Sequence, residues 1–297
     1  MFPRRALRRS CRSLLTQRRD ALALMIAGIM LLAVTGEIRA EGIAAHAGLH
    51  ERRTLLADDD SIFANGFEFF VIGLATVPVP RADACMRADG RTCESLVGDV
   101  TADAIREGSG AEFAIMNAGG LRASLTCPET DDPIDSCPPY MPPPYPITPG
   151  QVLAVLPFGN IAVTVLVTGA ELKLVLENAI SKMPLADGRF AQISGLCFTY
   201  DTAAAVGSRI LGAVRMEGDG CTGAAINFSA GVAYVLAEND FTAGGGDGYP
   251  NFTGRTTALG TLSQLVIDYV KLHTPITPSI EGRITCTTSG VAACPVQ

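Results

Sequence analysis

The sequence predicts an α+β fold, specifically a single layered sandwich domain, and three observations predict it. Strand-like and helix-like runs intermingle from Val71 onward, without the strict βαβ alternation that builds a doubly wound parallel sheet. Two helix starts are signed by capping boxes, Thr148-Pro149-Gly150-Gln151 and Thr168-Gly169-Ala170-Glu171, in which a threonine and the Gln or Glu three residues later satisfy each other's backbone donors. The chain has 297 residues, 48% of them hydrophobic, enough for a substantial core in one large domain or two small ones. No repeat of fixed period is present.

The elements follow in order. Residues 1–40 hold eight arginines against Asp20 and Glu37, and an apolar run from Ala21 to Val34. This reads as an export signal, because the run matches a signal h-region and is short for a membrane span; an uncleaved anchor is the alternative. Residues 41–69 are polar, with Asp58-Asp59-Asp60 and then SIFANGFEFF, and read as a linker or arm. The domain is placed at 70–286 and a tail at 287–297. VIGLATVPVP (71–80) reads as a strand ended by prolines. Residues 96–107 space apolar positions at 96, 97, 100, 104 and 105 as a helix does. EFAIM (112–116), IAVTVLV (161–167), GLCFTYD, RILGAVRME and GVAYVLAEN read as strands. LKLVLENAI and LSQLVIDYVKLH (262–273) read as amphipathic helices. Residues 127–146 are proline-rich and read as a stiff surface loop, with a polyproline partner segment as the alternative.

Cysteine usage agrees with export. Outside the leader's Cys11 stand Cys85, Cys93, Cys127, Cys137, Cys197, Cys221, Cys286 and Cys294. An even count in an exported chain implies disulfides. The cysteines fall into four close pairs, from which we expect 85–93, 127–137, 197–221 and 286–294. A zinc site is the rival use of these thiols, but histidine is scarce and no CxxC occurs. Net charge is −7, and since the leader is basic the remainder is more acidic still. Such a body does not track a polyanion, which excludes nucleic acid as a partner. No stable membrane span is expected once the signal is cleaved, and the chain is placed in the periplasm or secreted.

Three glycine-containing loops follow strands: NAGGLR (117–122), LPFGN (156–160) and NDFTAGGGDGYP (239–250). Loops at strand ends carry sites, and glycine lets backbone approach a ligand closely. Phe158 and Phe241 are loop aromatics beside glycine, and two facing rings can sandwich a base. Asn160 is placed to read a base edge. Asp247 is an acceptor suited to two ribose hydroxyls. Arg122 offers a planar fork to anionic oxygens, and Arg91 sits in the expected 85–93 disulfide loop. Each residue singly also has a plain structural use: a core ring, a solvated charge, a tight turn. GGGDG is not a dinucleotide fingerprint, since Tyr-Pro follows instead of a helix, and no Walker phosphate loop is present.

Together these segments resemble the 5'-nucleotidase family, the group that includes periplasmic UDP-sugar hydrolase and ecto-5'-nucleotidase. MNAGGLRASL resembles its "NGGGIR" segment, ITPGQVLAVLPFGN its "LPFGN" segment, and AENDFTAGGGDGYPNF its "NDFLAAGGDGYP" segment. RTCESLVGDVTADAI resembles the entry into the first helix of that family's C-terminal domain. The likeness covers roughly residues 71–285. It implies the fold of that nucleotide-binding domain and a place in nucleotide catabolism. Phe158 and Phe241 fall on the base-stacking rings, Asn117 and Asn160 on the base- and substrate-contacting asparagines, Arg91 and Arg122 on the arginines, and Asp247 on the ribose-binding aspartate. Ala118 departs from the family's first glycine.

The family's other domain is a metallophosphoesterase that holds two divalent metals to activate water and clamp phosphate. This sequence has three histidines only: His46 and His50, four apart in the arm, and His273, at the end of a helix where a helix-dipole role suffices. We therefore expect no catalytic residue, cofactor or metal site in this chain. Divalent metals enter only if a separate metallophosphoesterase chain supplies them. The resulting expectation is a nucleoside- or nucleotide-binding domain that is not hydrolytic alone. Two rivals stand: a 5'-nucleotidase acting with a metallophosphoesterase partner in trans, and a truncated remnant without function.

Overall fold

The structure is a computed structural model that describes residues 70–127, 142–291 and 293–295. All of these belong to one of the chain's two compact units, Asp58–Gln297. The expected signal segment, the arm with its two histidines, most of the proline-rich stretch and Cys137 lie outside the described residues.

A five-stranded mixed sheet forms the centre, from β2 (Phe113–Asn117), β4 (Ile161–Thr168), β5 (Ala191–Ser194), β8 (Ala233–Asn239) and β9 (Thr256–Thr261). The strand order is β5-β2-β8-β4-β9, with β2 and β8 parallel and the other pairs antiparallel. β2 is buried along its whole length, and its alternation explains the layering. Phe113 and Ile115 enter one apolar cluster while Ala114 and Met116 enter the other, as the period of two along a strand requires. A strand apolar on both faces needs cover on both.

One cover consists of α1 (Leu96–Ser109), α2 (Pro149–Val155), α5 (Leu262–His273) and a two-stranded ribbon of β1 (Gly73–Ala75) with β3 (Tyr145–Ile147). The other consists of α3 (Gly169–Ala179) and a second sheet, β10-β6-β7, from β6 (Leu196–Asp201), β7 (Ile210–Arg215) and β10 (Ile284–Thr287). The result is α+β and layered. Thr148 and Thr168 both close their capping boxes, and proline occupies the first turn of α2. The disulfides Cys85–Cys93, Cys197–Cys221 and Cys286–Cys294 are present, with Cα separations of 5.8, 5.6 and 5.8 Å. Cys127 is disulfide-bonded as well.

Several short elements escaped the sequence reading. β3 lies inside the stretch read as a proline-rich loop. β5 and β10 are four residues each, too short to display a period. β9 (TTALGT) is an edge strand with almost every residue at least partly exposed, so it lacks apolar alternation. The strand expected over 71–80 is confined to β1, because the prolines of VPVP remove ladder donors. A one-turn helix, α4 (Asp240–Ala243), interrupts the segment read as a single loop over 239–250; the Asn239 side chain caps it by accepting from the Thr242 amide at 2.8 Å. Phe241 therefore stands on a capped helical turn and not in a loop.

Candidate functional site

The strands of the central sheet deliver the candidate residues to one place. A cleft of about 470 Å³ is lined by Arg91, Asn117, Phe158, Asn160, Phe241 and Asp247, together with Gly119, Gly120 and Gly188. Six of the seven residues singled out in the sequence thus share one cavity, although they come from segments up to 156 residues apart. The seventh, Arg122, is not part of the lining. It is exposed, with its guanidinium carbon 5.8 Å from the centroid of the Phe158 ring, within reach of the ring quadrupole.

The two rings are the apolar feature of the cleft. Phe158 is 62% and Phe241 47% exposed, in a protein that buries Phe113, Phe190, Phe198 and Phe252 to 2% or less. Leaving the rings about half in water forgoes part of the roughly 1.5–3 kcal/mol that full burial of each would bring. Each is placed by a local device. Phe158 leaves the C-terminal end of α2 and is followed by Gly159 at φ +65°, a conformation that favours glycine. Phe241 lies directly on Gly246, where a Cβ would approach the ring's Cζ to 2.5 Å.

Asp247 is held in the left-handed region, φ 54° and ψ 19°, between Gly245 at φ 91° and Gly248 at φ 77°. Aspartate tolerates that region better than most residues. Its Oδ2 accepts from the Asn117 amide at 2.8 Å, and the Asn117 carbonyl oxygen accepts from Asn239 at 2.9 Å. The Asn178 amide donates to the Asp247 main-chain carbonyl at 3.3 Å. Asn117 is 3% exposed, so its visible work is to fix the carboxylate's direction. Asn160 likewise donates to Asp240 Oδ1 at 2.8 Å, an oxygen that also accepts from the Ile161 amide at 3.1 Å; this ties the Phe158 loop to the Phe241 turn.

Arg91 is placed by the loop that the Cys85–Cys93 disulfide closes. Asp83, 5% exposed, organises this loop by accepting from the amides of Cys85, Arg87, Thr92 and Cys93 and from the Thr92 hydroxyl. Gln192 of β5 joins the loop to the sheet, donating to the Cys93 carbonyl at 2.9 Å and accepting from the Ser95 amide at 3.1 Å. Sequence reading missed Asp83, Gln192, Asn239, Asp240 and Gly188. Of these, Asn239 and Asp240 lay inside a quoted motif. The rest stand outside any motif and act through contacts distant in sequence. Among the described residues, no group of three or more His, Cys, Asp or Glu side chains is arranged to hold a metal ion.

Known proteins resemble this chain in sequence and in fold. Residues 71–254 match the family model described as "5'-nucleotidase, C-terminal domain". The chain is 33% identical over 202 residues to the "Trifunctional nucleotide phosphoesterase protein YfkN" of Bacillus subtilis, covering 65% of this chain and 12% of that protein. It is also 33% identical over 203 residues to the "Cell wall protein Lmo0130" of Listeria monocytogenes, covering 64% of this chain and 23% of that one. Among solved structures, the 5'-nucleotidase precursor from Thermus thermophilus superposes with a TM-score of 0.59 at 28% identity, over 79% of this chain and 42% of that one. The chain thus spans less than half the length of each of these relatives. With the fold, the ordered motifs and the family match in agreement, the chain belongs to the 5'-nucleotidase C-terminal domain family.

Proposed function

We propose that this domain binds a nucleoside or nucleotide in the cleft between Phe158 and Phe241. One observation carries the reading: six motif residues from distant segments converge on a single cavity whose two aromatic rings are exposed. The volume, about 470 Å³, falls in the usual range of small-molecule sites. The base stacks on the rings, Asp247 accepts from the ribose hydroxyls, and Arg91 and Arg122 face anionic oxygens. Asn160 offers its carbonyl oxygen to a base edge, since its amide is engaged by Asp240.

Cleavage of a phosphoester would be the work of a metallophosphoesterase domain with its divalent metals. The relatives named as a nucleotide phosphoesterase and a 5'-nucleotidase support the link to nucleotide chemistry. The disulfides favour an exported location, periplasmic or secreted, as does the cell-wall relative. No described helix is long and apolar enough to cross a membrane.

Isothermal titration of the oxidised chain with adenosine and AMP tests the proposal. Binding is expected in the micromolar-to-millimolar range without added metal. It should weaken by roughly tenfold or more in Phe241→Ala, given the 1–3 kcal/mol of a base–ring stack. Absence of heat with adenosine, AMP and UDP-glucose would overturn it.

A further inference from the structure

The motif residues account for two arginines at the anionic end, yet a third lies beside them. Arg81 is in the strap that follows β1. That strap is laced to the segment after Arg122: the Val79 amide donates to Thr126 Oγ1 at 2.8 Å, the Leu125 amide to the Val79 carbonyl at 2.9 Å, and the Arg81 amide to Ser124 Oγ at 3.0 Å. On its other side Arg81 meets the disulfide loop. Its carbonyl oxygen stands 2.5 Å from where a Cβ on Gly90 would be, and Gly90 has φ +65°, so only glycine lets the loop close there. Arg81 is thus wedged between the residue before Arg91 and a residue two beyond Arg122.

The three guanidinium groups feel one another. Burial lowers the Arg81 pKa, and the positive charges of Arg122 and then Arg91 lower it further, with Asp89 opposing. Nε of Arg81 and Nε of Arg91 are buried without a hydrogen-bond partner, as is one carboxylate oxygen of Asp89. Native folds rarely leave buried side-chain donors without a hydrogen-bond partner. Three cations and one carboxylate leave a local charge near +2, the complement of a phosphate monoester, which carries roughly −1.5 to −2 at pH 7.

We propose that Arg81 is a third arginine of the anion end, a specificity residue that makes the cleft prefer a nucleoside bearing a phosphate dianion over the bare nucleoside. The proposal rests on the nucleotide-binding reading and adds to it a residue outside every recognised motif. Arg81 is not part of the cleft lining; the contact of its carbonyl with Gly90 sets the 79–81 strap directly against the loop that carries Arg91.

The test is titration of the oxidised full chain with adenosine, AMP and inorganic phosphate, for the wild type, Arg81→Gln and Arg81→Lys. AMP should bind the wild type more tightly than adenosine. Arg81→Gln should weaken AMP by about tenfold or more, the size of a charge-assisted hydrogen bond, and leave adenosine within about twofold. Arg81→Lys, which keeps the charge and loses the fork, should fall between. Unchanged adenosine affinity also certifies that the variants fold; should Arg81→Gln not fold, Arg81→Lys alone decides, by an AMP-selective loss of several-fold. Equal effects on AMP and adenosine, or none on either, overturn the role of Arg81 while the cleft stands. If adenosine fails to bind the wild type, the nucleoside reading falls, and inorganic phosphate then judges Arg81 by itself: binding weakened in Arg81→Gln supports it, while unchanged or absent phosphate binding overturns it.

Discussion

Neither Gly246 nor Glu238 lines the cleft, yet the packing of each has a measurable consequence. Gly246 supports the Phe241 ring so closely that an added Cβ would meet Cζ, Cε1 and Cε2 at 2.5–2.6 Å. Gly246→Ala is expected to tilt the ring away and reduce adenosine affinity by several-fold, read by titration; unchanged affinity would mean that the ring's placement is immaterial. Glu238 of β8 is the second. It is fully buried, and neither carboxylate oxygen has a hydrogen-bond partner. Burial raises its pKa from 4.5 to about 7; the nearby Thr242 hydroxyl opposes this only weakly, since it donates to the Asn239 carbonyl at 3.0 Å. The folded state therefore holds the proton more tightly than the unfolded chain. Stability is highest below pH 4.5 on this account and falls as pH rises toward about 7. Glu238→Gln should raise the melting temperature at pH 7.5 by an amount worth a few kcal/mol at most, since each tenfold difference in proton affinity between the two states is worth about 1.4 kcal/mol. It should change the melting temperature little at pH 4.5. An equal change at both pH values would show that the carboxyl is not the cause. The sequence displayed the ligand-facing residues, because loop aromatics beside glycine and an acid among glycines are visible without coordinates. Glu238 reads only as one polar residue in an apolar strand. Nothing local reveals that its neighbours supply no partner.

At the scale of elements, the longer helices were legible while the one-turn α4 and the short strands were not, for a physical reason. Helix boundaries are written locally: a capping threonine and its Gln or Glu partner lie three residues apart, so Thr148 and Thr168 announce α2 and α3 by themselves. The pairing that makes β5, β9 and β10 strands is written in partners far along the chain, such as Ile284 of β10 against Phe198 of β6. Their own residues carry no sufficient pattern. The α3 cap also carries a pH signature. Glu171 accepts from the Thr168 amide and hydroxyl and pairs with Arg255 at 2.6 Å. The Arg255 hydrogen bond, reinforced by those from Thr168, lowers its pKa from 4.5 to about 2. Because the folded pKa is depressed, the contribution is complete above pH 4.5 and is lost as pH falls toward about 2. Thr168→Ala should cost about 1 kcal/mol of stability, measured by urea denaturation at pH 7. The Cys85–Cys93 loop shows the same principle in the anion end. Asp83 accepts five hydrogen bonds within it, so Asp83→Ala is expected to weaken AMP more than adenosine by loosening Arg91. Equal loss for both ligands would assign Asp83 to general stability instead.

At the scale of the whole molecule, the family match ends at residue 254 while the fold continues through α5 and β10, and one arginine fastens that continuation to the site-bearing half. Arg283 has a side chain 3% exposed. It donates to both oxygens of Asp103 at 2.8 Å, to Glu281 at 2.9 Å and to the Ile193 carbonyl of β5 at 2.8 Å. The Glu94 carboxylate accepts from the backbone amides of Glu281 and Arg283, each at 2.6 Å. Glu94 directly follows Cys93, so the C-terminal segment is tied to the same disulfide loop that carries Arg91. Asp99 completes the group, 3.8 Å from Arg283 and 2% exposed. Burial, and after it the neighbouring Glu94 and Asp103, push its pKa well above the usual carboxylate value in spite of Arg283. The direct ion pairs of Arg283 are with Asp103, at 2.8 Å, and Glu281, at 2.9 Å. Removing one partner of a buried ion network costs roughly 3–5 kcal/mol, chiefly because the remaining charges stay buried and uncompensated. Arg283→Met, which preserves most of the side-chain volume, should destabilise by that order at pH 7. The loss should shrink toward pH 4, because Glu281, whose pKa burial raises and Arg283 lowers, protonates more readily once the arginine is gone. Denaturant melts of wild type and variant at both pH values decide the point: a penalty that does not change with pH would mean that Arg283 acts by packing, and that electrostatics does not hold the C-terminal strand to the domain.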